Sequence, residues 1–141
     1  MDIKLSPLKK FRLIELSEDE HYVLDRPKHS LHIYNALMVC KANNPFLFQC
    51  IQQIVNNVKN KYYGESVLSP TGPELLGRIA SSYKLNIDLV YPRAYPDHIM
   101  YHGQLILKNY DYYRNEQRVH ERTVNQSHYI HAWQNRRIYA N

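Results

Sequence analysis

Several places in the chain hold side chains suited to binding or transforming polar ligands. Asn35 interrupts the otherwise apolar run from Leu31 to Cys40. A buried amide must find hydrogen-bond partners. Facing a site it suits sugar hydroxyls, and on an edge strand it simply faces water. Thr71-Gly72-Pro73 puts a hydroxyl and a flexible backbone where a helix should begin. Helix N-termini offer free N–H groups to anions and oxygen-rich ligands, and a plain helix cap at Thr71 or Gly72 accounts for the same residues. His128 and His131 stand three apart, with Trp133 close by. On a helix the two imidazoles share a face, as zinc ligands can, yet no third ligand is spaced to complete a site. The chain also has 13 Tyr against 3 Phe and 1 Trp. A phenol packs as an apolar plate and keeps a hydroxyl for a partner. That combination suits surfaces that stack on sugars or bases, and equally the rim of a thin core. No Ser–His–Asp or Cys–His arrangement is readable. With four Gly in the chain there is no glycine-rich phosphate loop. Asn125-Gln126-Ser127 fits the glycosylation pattern, which carries weight only in a secreted chain.

The elements that must position these residues follow from periodicity. Phe11 to Leu16 reads as a short strand among charged turns, and Leu31 to Cys40 as a largely buried strand. Asn44 suits a helix N-cap and Pro45 the first helical position. Leu47, Ile51, Ile54, Val55 and Val58 then recur at helical spacing and predict a face docked on a sheet. Gln52, Gln53, Asn56, Asn57 and Lys59 form its wet side. A second helix follows Pro73, with Leu75, Leu76, Ile79, Ala80 and Tyr83 inward. Ile87 to Tyr91 and Gln104 to Leu107 read as strands, and the stretch from Tyr91 to His98, with Pro92 and Pro96, as a loop. The tail from Lys108 is rich in Arg, including Arg114, Arg118, Arg122, Arg136 and Arg137. Strand–helix alternation argues for the α/β class.

A length of 141 residues corresponds to one domain or part of a larger one. No apolar run approaches the ~18–20 residues of a membrane span, and Met1 to Lys10 lacks the apolar core of a signal peptide. A cytoplasmic location is therefore favoured at this level. The net charge of +5 favours phosphate-bearing partners, whether nucleic acid, anionic lipid or a nucleotide's diphosphate, and selects none of them. Cys40 and Cys50 have no metal-site spacing and cannot form a disulfide framework, so both read as core-facing apolar residues. A nucleic-acid-binding module would draw on the charge and on Tyr110-Asp111-Tyr112-Tyr113-Arg114, but no binding motif accompanies them.

Four segments occur in an order that resembles a known family. They are Met1-Asp2-Ile3-Lys4, Ile33-Tyr34-Asn35-Ala36-Leu37, Asn44-Pro45-Phe46-Leu47 and Pro70-Thr71-Gly72-Pro73-Glu74-Leu75-Leu76. Together they resemble the DXD-containing glycosyltransferases of family 32, the group of initiation-specific α-1,6-mannosyltransferases and their relatives. The closing His131-Ala132-Trp133 is similar to that family's terminal region. The likeness covers residues 1–83 and, loosely, the tail.

The resemblance implies that residues 1–141 are the C-terminal portion of a single GT-A-type domain. The N-terminal βαβ part that holds the donor nucleotide would lie outside the chain. It further implies metal-assisted, configuration-retaining transfer of a hexose from a nucleotide sugar to a glycan or lipid acceptor, with no nucleic-acid partner. Asp2 would be the first acid of the metal-binding motif, holding Mn2+ or Mg2+ against the diphosphate. On the residues alone, Asp2 reads first as a frayed residue beside Met1. Lys4 stands where the second acid belongs; either it meets a phosphate as a point charge or metal binding is weakened or lost, and the alternative is then an inactive fragment that survives as an interaction piece. By resemblance, Asn35, Thr71 and Gly72 lie on the acceptor side. His131 and Trp133 would approach the diphosphate or cap the nucleotide, with Arg136 and Arg137 adding phosphate contacts. The alternative for the tail is a solvated basic segment with one anchoring Trp. The family also implies Golgi-type membrane association.

Overall fold

A computed structural model describes residues 1–2, 4–8, 20–25, 31–123 and 129–139. Ile3, the strand expected over Phe11 to Leu16, the Asn125-Gln126-Ser127 pattern and His128 lie outside the described residues.

Six strands form one sheet in the order β1-β6-β5-β4-β2-β3. They are β1 (Leu5–Pro7), β2 (His21–Asp25), β3 (Ile33–Val39), β4 (Leu89–Tyr91), β5 (His98–Tyr101) and β6 (Gln104–Asn109). Every pairing is antiparallel except β2 with β4. The chain is thus of mixed α/β class, with a sheet more antiparallel than alternation alone suggests. The sequence reading missed β5, having ended its loop at His98. A hairpin of β5 and β6 turning at His102-Gly103 explains it: both residues have positive φ, 45° and 79°, as such tight turns require.

Side-chain alternation along β2 splits the core in two. Val23 faces a cluster with Leu5, Leu89, Ile99 and Leu107. Tyr22 faces the helices α1 (Pro45–Lys59) and α2 (Pro73–Ala80), with Ile33, Phe46, Cys50, Leu75, Leu76, Ile79 and Ala80. Cys50 is an apolar core residue, as read from the sequence; burial pushes its thiol up to about 11.

α1 begins as its residues dictate. Asn44 Oδ1 accepts the Leu47 N–H at 2.9 Å, and Pro45 occupies the first turn. Asn44 Nδ2 also donates to the Tyr22 hydroxyl at 3.2 Å and contacts Glu20. Asn44→Ala is expected to cost about 1–2 kcal/mol in a denaturant melt, the upper range for a lost cap.

The docked face of α1 matches the expected one only in part: Leu47 and Ile54 pack half-buried against the core. Phe46, Cys50 and Asn57 are buried, whereas Ile51, Val55 and Val58 stay exposed. Aromatic geometry and one amide set this rotation. Phe46 meets Tyr22 edge-on at 5.2 Å and Tyr83 at 5.6 Å, contacts that aliphatic side chains do not supply. Asn57, expected on the wet side, donates to the Pro70 carbonyl at 2.8 Å and accepts from Gln53.

The Arg-rich tail holds two helices that the sequence reading left unassigned, α3 (Tyr113–Thr123) and α4 (Tyr129–Gln134), neither with a buried residue. α4 is tied down from outside. Trp133 Nε1 donates to the Tyr63 carbonyl at 2.8 Å, and the Tyr139 hydroxyl donates to the Tyr62 carbonyl at 2.5 Å.

Candidate functional site

A break in strand register builds the site. His21 pairs with Val39 and Tyr22 with Met38, but Leu24 pairs with Ile33. One residue of β2, Val23, therefore spans the length taken by residues 34–37 of β3. Such bulges bend a strand and re-aim its side chains. Here Tyr34 and Asn35 turn toward an open cleft of about 550 Å³. The bulge also frees the Ala36 carbonyl, which accepts the Asp2 N–H at 2.6 Å.

That bond decides where the first residues go. Asp2 is not frayed: its backbone is pinned to β3, and its carboxylate accepts the Lys4 N–H at 3.3 Å and pairs with Lys4 Nζ at 3.3 Å. Lys4, rather than Asp2, enters the cleft wall. Its ammonium lies 5.3 Å from the Tyr34 ring centre and 5.8 Å from that of Tyr113. Burial works against this charge; the Tyr34 hydroxyl and the Asp2 carboxylate outweigh it and raise its pKa above the ordinary lysine value.

The remaining walls come from distant parts of the chain. Val67, Leu68, Thr71, Gly72 and Pro73 form one side, and Asp25, Tyr91, Arg114 and Tyr129 close the other. Tyr34 and Tyr91 stack at 4.7 Å with 22° between their planes. Arg114 Nη2 donates to Asp97 Oδ1 at 2.7 Å, and Asn109 Nδ2 donates to the same oxygen at 2.7 Å. The cleft thus combines two cations held by their own carboxylates, an aromatic plate, an amide, a hydroxyl and the carboxylate of Asp25.

Gly72, not Thr71, is the N-cap of α2, with no side-chain cap bond, so the Thr71 hydroxyl is not used as a cap. A network behind the corner fixes its position. Ser66 Oγ donates to Glu74 Oε2 at 2.5 Å and Ser69 Oγ to Glu74 Oε1 at 2.8 Å. Burial pushes the Glu74 pKa up, but the two hydroxyls and the charges of His32 and Arg78 hold it below the ordinary carboxylate value. A depressed folded-state pKa gives stability that is present above the unfolded pKa and lost as pH falls through the folded value. Glu74→Gln is therefore expected to lower the melting temperature at neutral pH. The gap between variant and parent should close as pH drops below the ordinary carboxylate range near ~4. A gap that stays constant with pH would remove the charge from this account.

Of the residues singled out in the sequence, Lys4, Asn35, Thr71 and Gly72 come together in the cleft. Three others do not. Asp2 stands behind Lys4. His131 is exposed on α4 and is not among the residues that line the cleft. Trp133 lines an adjoining apolar pocket with Val58, Val67, Pro70 and Thr71 instead of capping the cleft. Its indole N–H donates to the Tyr63 carbonyl, which ties the tail to the loop after α1. Arg136 stacks over Tyr63 at 4.5 Å. The sequence reading missed Asp25, Tyr34, Tyr91 and Arg114. The abundance of Tyr hinted at Tyr34 and Tyr91, and Arg114 stood out only as one Arg among many in the tail; no local spacing links residues that meet across a sheet.

The donor set does not suit a divalent ion. The Asp2 carboxylate already faces an ammonium, and among the described residues no group of three or more His, Cys, Asp or Glu could hold a metal. Hard cations such as Mn2+ and Mg2+ need several oxygen ligands. No family model, curated protein or solved structure matches this chain.

Proposed function

We propose that the cleft is a sugar-binding site of a glycosyltransferase-type chain, taking part in hexose transfer from a nucleotide sugar to a glycan or glycolipid. On this reading the sheet is the C-terminal portion of a GT-A-like domain. One observation carries it: Lys4, Asn35, Thr71 and Gly72, picked out from separate segments, line a single cleft beside the stacked Tyr34–Tyr91 pair. Aromatic plates bind the apolar faces of hexoses, and amide and hydroxyl groups around them read the sugar hydroxyls. In the transfer, the acceptor oxygen replaces the diphosphate oxygen on the anomeric carbon, and the acceptor proton leaves with the nucleoside diphosphate. Lys4 is the chain's own group for the phosphate charge, and no step is assigned to a metal.

Calorimetric titration with UDP- and GDP-hexoses and with neutral oligosaccharides, with and without manganese, tests this. Saturable binding at one site, the same with and without manganese, is the expected result. No binding of any sugar would overturn the reading. A second reading rests on Lys4 in place of the motif's second acid: the chain binds the sugar without transferring it. Binding with no released nucleoside diphosphate would favour it.

A further inference from the structure

We propose that α1 docks on an anionic membrane surface through its uncovered apolar stripe. Phe48, Ile51, Val55 and Val58 are 61%, 59%, 47% and 49% exposed. At the α-helical turn angle they share an arc of about 80°, turned about 140° from the face held by Phe46, Cys50 and Asn57. Four large apolar side chains in one exposed row are unusual unless something covers them.

Charge decides what covers them. From Lys41 to Gly64 the chain carries Lys41, Lys59 and Lys61 and not one Asp or Glu. Two more cations gather at the same end. Arg78 sits 5.8 Å from the Tyr62 ring and Arg136 4.5 Å from the Tyr63 ring. Val58 continues the stripe into the apolar pocket that holds Trp133 and Tyr139. An apolar row with aromatic residues at its end and basic residues around it is the pattern of a helix lying in a lipid interface. A second copy fits poorly. Packing α1 on its own symmetry mate brings Lys to Lys, with no carboxylate on either helix to offset the repulsion. No helix of the described residues is long and apolar enough to cross a membrane, so contact is with the surface.

Co-sedimentation of the full chain tests this with vesicles of phosphatidylcholine alone and of phosphatidylcholine mixed with phosphatidylserine. Each basic residue near an anionic surface is worth about fivefold in partitioning, so at least about a tenfold preference for the mixed vesicles is expected, weakening as salt rises. Ile51→Asp with Val55→Asp should abolish binding without lowering the melting temperature, since neither side chain is in the core. Lys59→Glu with Lys61→Glu should remove the preference for anionic vesicles and leave the fold intact. Equal or absent binding to the two vesicle types would overturn the proposal. So would unchanged binding by the double Asp variant, or a dimer in sedimentation equilibrium that the same variant dissociates. An acidic protein that binds the stripe while vesicles do not would overturn it as well.

Discussion

Replacing Gly77 by alanine is expected to destabilise the chain by about 3 kcal/mol or more, the upper range for overpacking against immovable atoms. A Cβ built there would lie 1.8 Å from the Leu31 carbonyl oxygen, 2.6 Å from its carbon and 3.0 Å from the His32 Cα. These are backbone atoms at the entrance to β3, and no rotamer change relieves the overlap. Gly77 needs no unusual dihedral; it is glycine because α2 presses directly on the chain before the strand. Separating the helix to admit a methyl would unseat Leu75 and Leu76, both buried, and swing the Thr71-Gly72 corner away from Tyr34. Gly103→Ala is the matched control. Gly103 has φ +79°, and a Cβ added there would have nothing within 4 Å, so only the ~1–2 kcal/mol cost of a left-handed alanine applies. Chemical denaturation of the two variants should separate them clearly. Equal losses would mean that α2 tolerates displacement, and that the cleft is less rigidly framed than its contacts suggest.

The legibility of this fold tracks how local each cause is. The start of α1 was readable because its cap is a two-residue device: Asn44 accepts from Leu47 and Pro45 sets the first φ. α2 was readable because Leu75, Leu76, Ile79 and Ala80 all face the sheet. The docking of α1 was only partly readable: Leu47 and Ile54 pack on the core as their spacing suggests. Counting aliphatic residues favoured Ile51 and Val55, and the decision lay with Phe46 against Tyr22 and Tyr83, contacts across three separate segments. The cleft shows the same divide. Asn35 and Thr71 stand out as polar groups in apolar or helix-initiating settings. Asp25, Tyr91 and Arg114 reach the cleft only through sheet order and the ion pair with Asp97, and neither leaves a spacing in the sequence. The β3 bulge, which aims Tyr34 and Asn35, depends on a pairing between strands that no single segment encodes.

Lys4→Met is expected to lower affinity for a sugar phosphate or nucleotide sugar about 10- to 100-fold, the value of one hydrogen bond to a charged group. Affinity for a neutral oligosaccharide should move by less than about threefold, because stacking on Tyr34 and Tyr91 is left in place. Methionine suits the comparison. Its unbranched chain can fill the slot between the Tyr34 and Tyr113 rings, and the Asp2 carboxylate, 38% exposed, keeps its access to water once its partner is gone. Lys4→Arg should recover much of the phosphate affinity, since the charge is kept while the donor geometry changes. Calorimetry on the three chains, with a phosphorylated and an unphosphorylated ligand of the same sugar, separates two roles for the ammonium. A selective loss for the phosphorylated ligand means that Lys4 meets the charge directly, doing alone what an acid pair and a metal would do together. An equal loss for both ligands means that Lys4 acts only by holding the Tyr34 ring in the cleft wall, and the phosphate must then be sought at Arg114, where Asp97 already holds the guanidinium.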